Sequence, residues 1–306
     1  MASILIYSDN SSLAGELYTA ALNLAGSDEV SALQIGKDEN AVTVSPCAKT
    51  YFVEQQADIS DVAATATTIA NVAKKIDAKL VLLSSDRRGK ELAGRLGQRM
   101  QCSVITNADS VRVDGDNVLV SRNALGGAIV EEVSSKTDCS VIAISPKGYE
   151  SAQGEEHAPM ILDVETGSST VSVVERSAKD QKNSDISSAD ILFVCGLGFE
   201  DESNVTKVKQ LAGEMNAGCA CTKPLATDKK WFSEDEIVGI SGKTCKPSLA
   251  ILLGVSGQVQ FWAGIRDAKV VVAVNNDENA AIMGMSDYSF VGDVEDVVSG
   301  LKAKLV

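Results

Sequence analysis

Leu249-Ala-Ile-Leu-Leu253 is a short apolar run that breaks at Gly254-Val-Ser-Gly257. The chain then passes through Gln258 to Ile265 and returns to an apolar run at Lys269-Val-Val-Val-Ala-Val274, which ends in Asn275-Asn276-Asp277. A continuous apolar stretch of strand length between turn signals reads as a strand buried on both faces. Strand, glycine turn, helix, strand is a βαβ unit, and its crossover requires the two strands to lie parallel. The pattern extends in both directions. Upstream, Ile191-Leu-Phe-Val194 is a strand that runs into Gly196-Leu-Gly198 and a helix carrying Val205, Val208, Leu211 and Met215. Downstream, Val294, Val297, Val298, Leu301 and Leu305 mark a closing helix. This half of the chain has the size of a nucleotide-binding domain.

The first half shows the same rhythm. Ser3-Ile-Leu-Ile-Tyr7, Val30 to Ile35, Thr50 to Val53 and Leu80-Val-Leu-Leu83 read as strands. Leu13, Leu17, Ala20, Ala21 and Leu24, ending at Gly26, keep helical spacing, as do Ile59 to Ile76 and, after Arg87-Arg88-Gly89-Lys90, Leu92, Leu96 and Met100. Val111 to Val120 reads as a hairpin about Asp114-Gly115. Ser151 to His157 reads as a loop, Ser169-Thr-Val-Ser-Val-Val174 as one last strand, and the polar stretch from Ser177 to Ser188 as a linker. The fold class expected is α/β, with two parallel-sheet domains at 1–180 and 181–306, the second Rossmann-like, and the boundary near 178–189.

Composition narrows the function. The chain has 306 residues, 28 Lys plus Arg against 42 Asp plus Glu, and a net charge of −14. A nucleic-acid binder needs a positive stripe to displace counterions, so that class is excluded. No apolar run reaches the length of a membrane span. Met1-Ala-Ser-Ile-Leu-Ile-Tyr7 has no basic stretch or cleavage-like site, so a soluble cytoplasmic chain is expected. Seven cysteines, at 47, 102, 139, 195, 219, 221 and 245, are an odd number and fall partly in apolar runs, which suits reduced core thiols. Cys219-Ala-Cys221 lacks further ligands at zinc-like spacing, so no metal site is expected. The single histidine, His157, lies in Gly-Glu-Glu-His-Ala-Pro, where solvent exposure is expected and a general base is not.

Ligands of open α/β sheets bind at the carboxyl ends of the strands. Three glycine turns sit there in the second half: Gly196-Leu-Gly198, Val238-Gly-Ile-Ser-Gly242 and Gly254-Val-Ser-Gly257. The last is either a pyrophosphate cradle or a tight turn that merely needs glycine. It is not a hydrolase elbow, because the second glycine comes one residue early and no histidine follows. Gly196-Leu-Gly198 lacks the third glycine of a dinucleotide fingerprint, which disfavours a nicotinamide dehydrogenase.

Residues 254–306 resemble the flavin domain of the alpha subunit of electron-transfer flavoproteins. The resemblance rests on Gly254-Val-Ser-Gly-Gln-Val-Gln-Phe-Trp-Ala-Gly264, Ala273-Val-Asn-Asn-Asp277 and Ser286-Asp-Tyr-Ser-Phe-Val-Gly-Asp293. It extends back through Ile237-Val-Gly-Ile-Ser-Gly242 and Cys221-Thr-Lys-Pro224, and more faintly to Arg88-Gly-Lys-Glu-Leu-Ala-Gly-Arg-Leu-Gly97. It implies FAD on the second domain and a heterodimer with a beta subunit, the first domain packing on that partner. It also implies electron exchange with a dehydrogenase such as an acyl-CoA dehydrogenase, with no catalytic acid or base. By the same resemblance, Ser256, Gly257, Gln258, Val259 and Gln260 meet the pyrophosphate and ribityl chain. Asn275 and Asp293 fall at the adenosine half, and Val294 beside them is a further cofactor-binding candidate. Val238, Gly239, Ile240 and Ser241 form the loop beside the flavin ring, where Thr222, Lys223 and Phe261 also fall.

The departures from the family pattern are chemical. Lys223 replaces an Arg and keeps the charge without the planar fork. Ser241 replaces a Thr, Ile240 a Gln, Leu197 an Arg and Phe261 a His. Phe261 cannot stabilise negative charge on a reduced flavin. A lower one-electron potential, a less stable anionic semiquinone and weaker FAD retention are therefore expected. A flavin-poor structural or regulatory subunit that holds another nucleotide is the alternative. Trp231-Phe232 and Phe261-Trp262 read as packing pairs. The acidic segments 154–156 and 234–236 read as solvated, or as a docking site for a basic partner, and Arg87-Arg88-Gly89-Lys90 reads as surface charge.

Overall fold

A computed structural model of the chain describes residues 3–25, 29–37, 43–115, 117–169, 171–175 and 185–305. The chain forms two compact units, Met1–Arg176 and Ser177–Val306.

The first unit contains, in order, β1 (Ile4–Tyr7), α1 (Ser11–Leu22), β2 (Val30–Gly36), β3 (Thr43–Ser45), β4 (Thr50–Glu54), α2 (Val62–Lys75), β5 (Leu80–Ser84) and α3 (Arg87–Met100). It continues with β6 (Ser103–Ala108), β7 (Ser110–Asp114), β8 (Asn117–Ala124), β9 (Ile129–Ser134), β10 (Ser140–Ile144), β11 (Glu155–His157) and β12 (Met160–Ile161). Seven strands form one sheet, in the order β12-β4-β2-β1-β5-β10-β6, with every pairing parallel. The side-chain period of two splits β1 between two cores: Ile4 and Ile6 enter one, Leu5 and Tyr7 the other. Each of the three helices starts at an Asn or Asp whose carboxyl or amide oxygen accepts from first-turn N–H groups: Asn10, Asp61 and Asp86. The expected hairpin is present, with Asp114 opposite Asn117 and Gly115 at φ +58.

Four expectations for this unit are corrected. Glu155–His157 is not loop but a strand antiparallel to β3, which leaves His157 half-buried with its ring Nδ1 3.1 Å from the Glu155 carbonyl. Ser169 and residues 171–175 belong to no strand. The Ser169 hydroxyl bonds the Asp61 carboxylate and the Val171 carbonyl, and Val171 and Val174 are 67% and 95% exposed, so the alternation has no face to bury. Ile59 precedes α2, because Asp61 caps the helix after it. Arg88 is not simple surface charge: its guanidinium pairs with Asp9 at 2.6 Å and also donates to the Ile59 carbonyl. Gly26, Thr170 and the linker residues 177–184 lie outside the described residues.

The second unit contains β13 (Ile191–Cys195), α4 (Glu202–Glu214), β14 (Gly218–Cys221), α5 (Lys223–Thr227), β15 (Leu249–Leu253), α6 (Val259–Trp262), β16 (Val270–Asn275), α7 (Ala281–Met285), β17 (Tyr288–Val291) and α8 (Val294–Leu305). Its sheet has the order β14-β13-β15-β16-β17 and is parallel throughout. This is the doubly wound order 2-1-3-4-5, whose crevice opens where the chain reverses direction between its first and third strands. Phe193, Cys195, Ile251 and Leu253 pack toward α4 and α8, and Leu192, Val194, Ala250 and Leu252 toward the opposite face. The α/β expectation with parallel sheets in both halves holds. The helix expected over Gln258 to Ile265 is shorter, since after Trp262 the chain tightens into turns, with Gly264 donating to Phe261 and Ile265 to Trp262. The chain is closely packed at that point: a Cβ on Gly264 would lie 2.4 Å from the Gly239 nitrogen.

Candidate functional site

The loops that follow β13 and β15 are pressed together. Gly196 donates to Leu253 at 2.8 Å, Gly198 to Gly254 at 3.0 Å and Gly254 to Val274 at 2.9 Å. A Cβ on Gly196 would sit 2.2 Å from the Gly254 carbonyl oxygen, so only glycine fits. Gly257, at φ +87, lies equally close to α7, where a Cβ would be 2.4 Å from the Ile282 nitrogen. The two readings of this turn therefore divide between different atoms. The glycines serve backbone packing. The anion-binding capacity resides in the N–H groups of Ser256, Gly257, Gln258, Val259 and Gln260, which find no acceptor among the described residues. Such a row of unpartnered donors suits a phosphate.

Of these, Ser256, Gln258 and Gln260 line a cavity of about 840 Å³ at the carboxyl ends of β13, β14, β15 and β16. That volume lies within the range of small-molecule and cofactor sites. Of the residues singled out from sequence, Ser256, Gln258, Gln260 and Phe261 line it from the β15 loop and α6. Thr222 and Lys223 line it from the start of α5, and Val238, Gly239 and Ser241 from the loop before β15. The Thr222 N–H is tied to the Cys195 carbonyl at 2.9 Å, and the Ile240 N–H to the Gln260 carbonyl at 2.9 Å, which fixes those loops to one another. Asn275 lines the cavity from the end of β16, but its side chain already works inside the protein: Nδ2 donates to the Val255 carbonyl at 2.8 Å and Oδ1 accepts from the Asp277 N–H at 3.0 Å.

Five of the residues singled out do not line the cavity. Ile240 and Val259 are 62% and 66% exposed, and Gly257 is buried against α7. Asp293 accepts the Glu295 N–H at 2.7 Å at the start of α8, and Val294 is 6% exposed in the core below it. Conversely, Thr227, Asp228, Asp277, Ala280 and Ala281 line the wall and were not among the candidate site residues. The strand-end rule pointed to Asp277, whereas Thr227 and Asp228 follow only from how α5 packs. The charged residues of the wall are Lys223, Asp228 and Asp277. Lys223 pairs with no carboxylate among the described residues.

Among the described residues the wall contains no histidine or cysteine. Burial pushes the Cys195 thiol well above its ordinary range, reinforced by Cys219, and raises Cys221 from 9.0 to about 12. These thiols are core groups held neutral. Among the described residues no group of histidine, cysteine or carboxylate side chains suits a metal ion, and no helix is long and apolar enough to cross a membrane. Trp231 and Phe232 pack as a pair, with Lys209 Nζ 3.9 Å above the Phe232 ring, and residues 234–236 form a turn capped by Ser233.

Donors without acceptors and an ammonium at Lys223 without a carboxylate partner among the described residues, a hydroxyl at Ser256 and a crevice at the topological switch point fit a phosphate-bearing dinucleotide. Comparison with known proteins bears on the same region. Residues 185–266 match the profile described as the electron transfer flavoprotein FAD-binding domain, and residues 11–179 match that of the electron transfer flavoprotein domain. The chain is 31% identical over 232 residues to Protein FixB of Escherichia coli K12, covering 74% of this chain and 73% of that protein. The same figures hold for Protein FixB of the E. coli strains O9:H4 HS and SMS-3-5.

Proposed function

Because the chain belongs to the electron transfer flavoprotein family, as an alpha subunit, we propose that its second unit holds FAD in the cavity at the carboxyl ends of β13 to β16. Paired with a beta subunit, it carries electrons between a dehydrogenase, such as an acyl-CoA dehydrogenase, and a second redox protein. The observation that carries this reading is the row of N–H groups from Ser256 to Gln260 that find no acceptor among the described residues, with Ser256, Gln258 and Gln260 lining a cavity of cofactor size.

The flavin, when bound, supplies reversible electron transfer, and the protein supplies position and electrostatics. Ser256 and the N–H groups after it hold the pyrophosphate, with the Gln260 amide beside them. Lys223 places a positive charge where a reduced ring becomes negative, as a point charge rather than an arginine fork. Phe261, 7% exposed, gives the ring an apolar neighbour and no donor. Ser241 contributes a hydroxyl from the adjoining loop. Asn275 fixes the β16 end of the cavity, and Asp293 and Val294 support it through the start of α8. Proton transfer by the protein is not required.

The test is co-expression with a beta-type subunit of the same family. The expected product is a yellow heterodimer with flavin absorbance and about one FAD per pair, and with a lower reduction potential than a relative that has a cationic or donor side chain at the Phe261 position. A colourless heterodimer that takes up no added FAD refutes the reading. It would favour a regulatory subunit that holds a different nucleotide.

A further inference from the structure

We propose that Asp277 is the residue that selects the nucleoside end of the bound dinucleotide, accepting hydrogen bonds from the vicinal hydroxyls of its ribose and excluding a 2′-phosphorylated form. This rests on the flavin-dinucleotide reading and assigns a role that neither the sequence comparison nor the candidate residues supply. The FAD-binding profile ends at residue 266, before this position.

The charges of the wall are separated across the sheet. Lys223 opens α5 directly after β14, and Asp277 follows β16. The sheet order places β13 and β15 between those two strands. Three strand spacings separate the two positions laterally, roughly 14 Å. The unpartnered N–H groups follow β15, between the two charges. A cation at one end, donors in the middle and a carboxylate at the other end give the crevice a polarity. A ring that gains negative charge belongs at the Lys223 end, and a phosphate beside the donors. What remains at the Asp277 end is a group that gives hydrogen bonds rather than one that bears negative charge. In strand-turn-helix-strand nucleotide sites, an acidic residue about twenty residues past the glycine turn meets ribose hydroxyls. Asp277 stands at that remove from Gly254, at the end of the second strand.

The carboxylate is also pre-set. Its backbone N–H is held by Asn275 Oδ1 at 3.0 Å, and its own Oδ1 accepts the Asn279 N–H at 2.9 Å. Oδ2 has no partner among the described residues and remains available to a ligand. Among the described residues no lysine or arginine lines this end of the cavity, so an additional phosphate there would meet a carboxylate without a counter-charge.

The experiment uses the full chain co-expressed with its beta-type subunit, stripped of flavin and titrated with FAD while flavin fluorescence is followed. The ligands are FAD and FAD analogues whose adenosine lacks the 2′- or the 3′-hydroxyl. The protein is wild type or Asp277→Asn, which retains an oxygen for the Asn279 N–H and therefore preserves the turn. Wild type is expected to bind at least one deoxy analogue about tenfold more weakly than FAD. Asp277→Asn is expected to weaken FAD by a similar factor, to lose most of the discrimination between FAD and that analogue, and to melt within a degree or two of wild type. Equal binding of FAD and both analogues by wild type overturns the assignment and leaves the flavin reading standing. Full discrimination retained in Asp277→Asn also overturns it, since the acceptor is then elsewhere. Failure of the wild-type complex to bind FAD overturns the flavin reading and this assignment with it.

Discussion

Asn275→Ala isolates what holds the β16 end of the cavity in shape. Asn275 is 8% exposed and bonds the Val255 carbonyl through Nδ2 and the Asp277 N–H through Oδ1. Each bond contributes about 1 kcal/mol net. The two ends differ, however, once the amide is gone. Asp277 is exposed, so water replaces the lost acceptor. Val255 is 2% exposed, and its stranded carbonyl adds a desolvation cost of about 1 kcal/mol or more. The sum is about 3 kcal/mol. For a unit of this size, roughly 3–5 °C is lost per kcal/mol, so the calorimetric transition of the second unit is expected to fall by roughly 10 °C while that of the first stays in place. Asn275→Asp sharpens the test. A carboxylate still accepts from Asp277 but cannot donate to Val255, and it faces the carbonyl oxygen instead. That raises the introduced carboxyl's folded pKa above its unfolded value, so the folded state binds the extra proton. The stability it retains is present below the ordinary carboxylate range and lost as pH rises through the raised value. Asn275→Asp is therefore expected to resemble wild type more at pH 5 than at pH 8. A shift under about 2 °C for Asn275→Ala, or pH-independent melting of Asn275→Asp relative to wild type, would refute the hydrogen-bond account.

Three further outcomes are expected. Gly196→Ala places a Cβ 2.2 Å from the Gly254 carbonyl oxygen, inside two loops that cannot both move, and should cost about 2–3 kcal/mol in denaturant titration. Gly94→Ala, exposed in the middle of α3 with nothing within 4 Å, should instead stabilise by about 0.5–1 kcal/mol in the same assay. Burial holds Cys47 at about 12 against an ordinary 9.0, so the folded state keeps its proton where the unfolded chain loses it, and stability should fall as pH rises from about 9 toward 12. By pH 10.5 this thiol alone should account for about 2 kcal/mol, and a Cys47→Ala variant should show a correspondingly flatter alkaline limb in chemical denaturation.

The sequence by itself determined the class of fold. Apolar runs of strand length joined by amphipathic helices leave few alternatives to parallel sheets, because a crossover helix must cover a strand that is buried on both faces. Hence β13, β15 and β16, with the glycine turns after the first two, were legible, and the cavity opens where those turns meet the end of β16. Segments whose fate depends on a partner were not legible. Residues 171–174 alternate like a strand yet find no sheet to join, whereas Glu155–His157 looks like a polar loop and pairs with β3. Hydrogen-bonding partners across the chain decide such cases, and local pattern does not encode them. The same limit applied to the site. Which atoms of Gly254-Val-Ser-Gly257 serve packing and which remain free followed only from the way the turn after β15 is pressed against Gly198 and Ile282, and Val294 was placed in the core only by the packing of α8. Close approach between backbones distant in sequence is a property of the assembled layers, and so the tertiary structure alone assigned each residue its side of the wall.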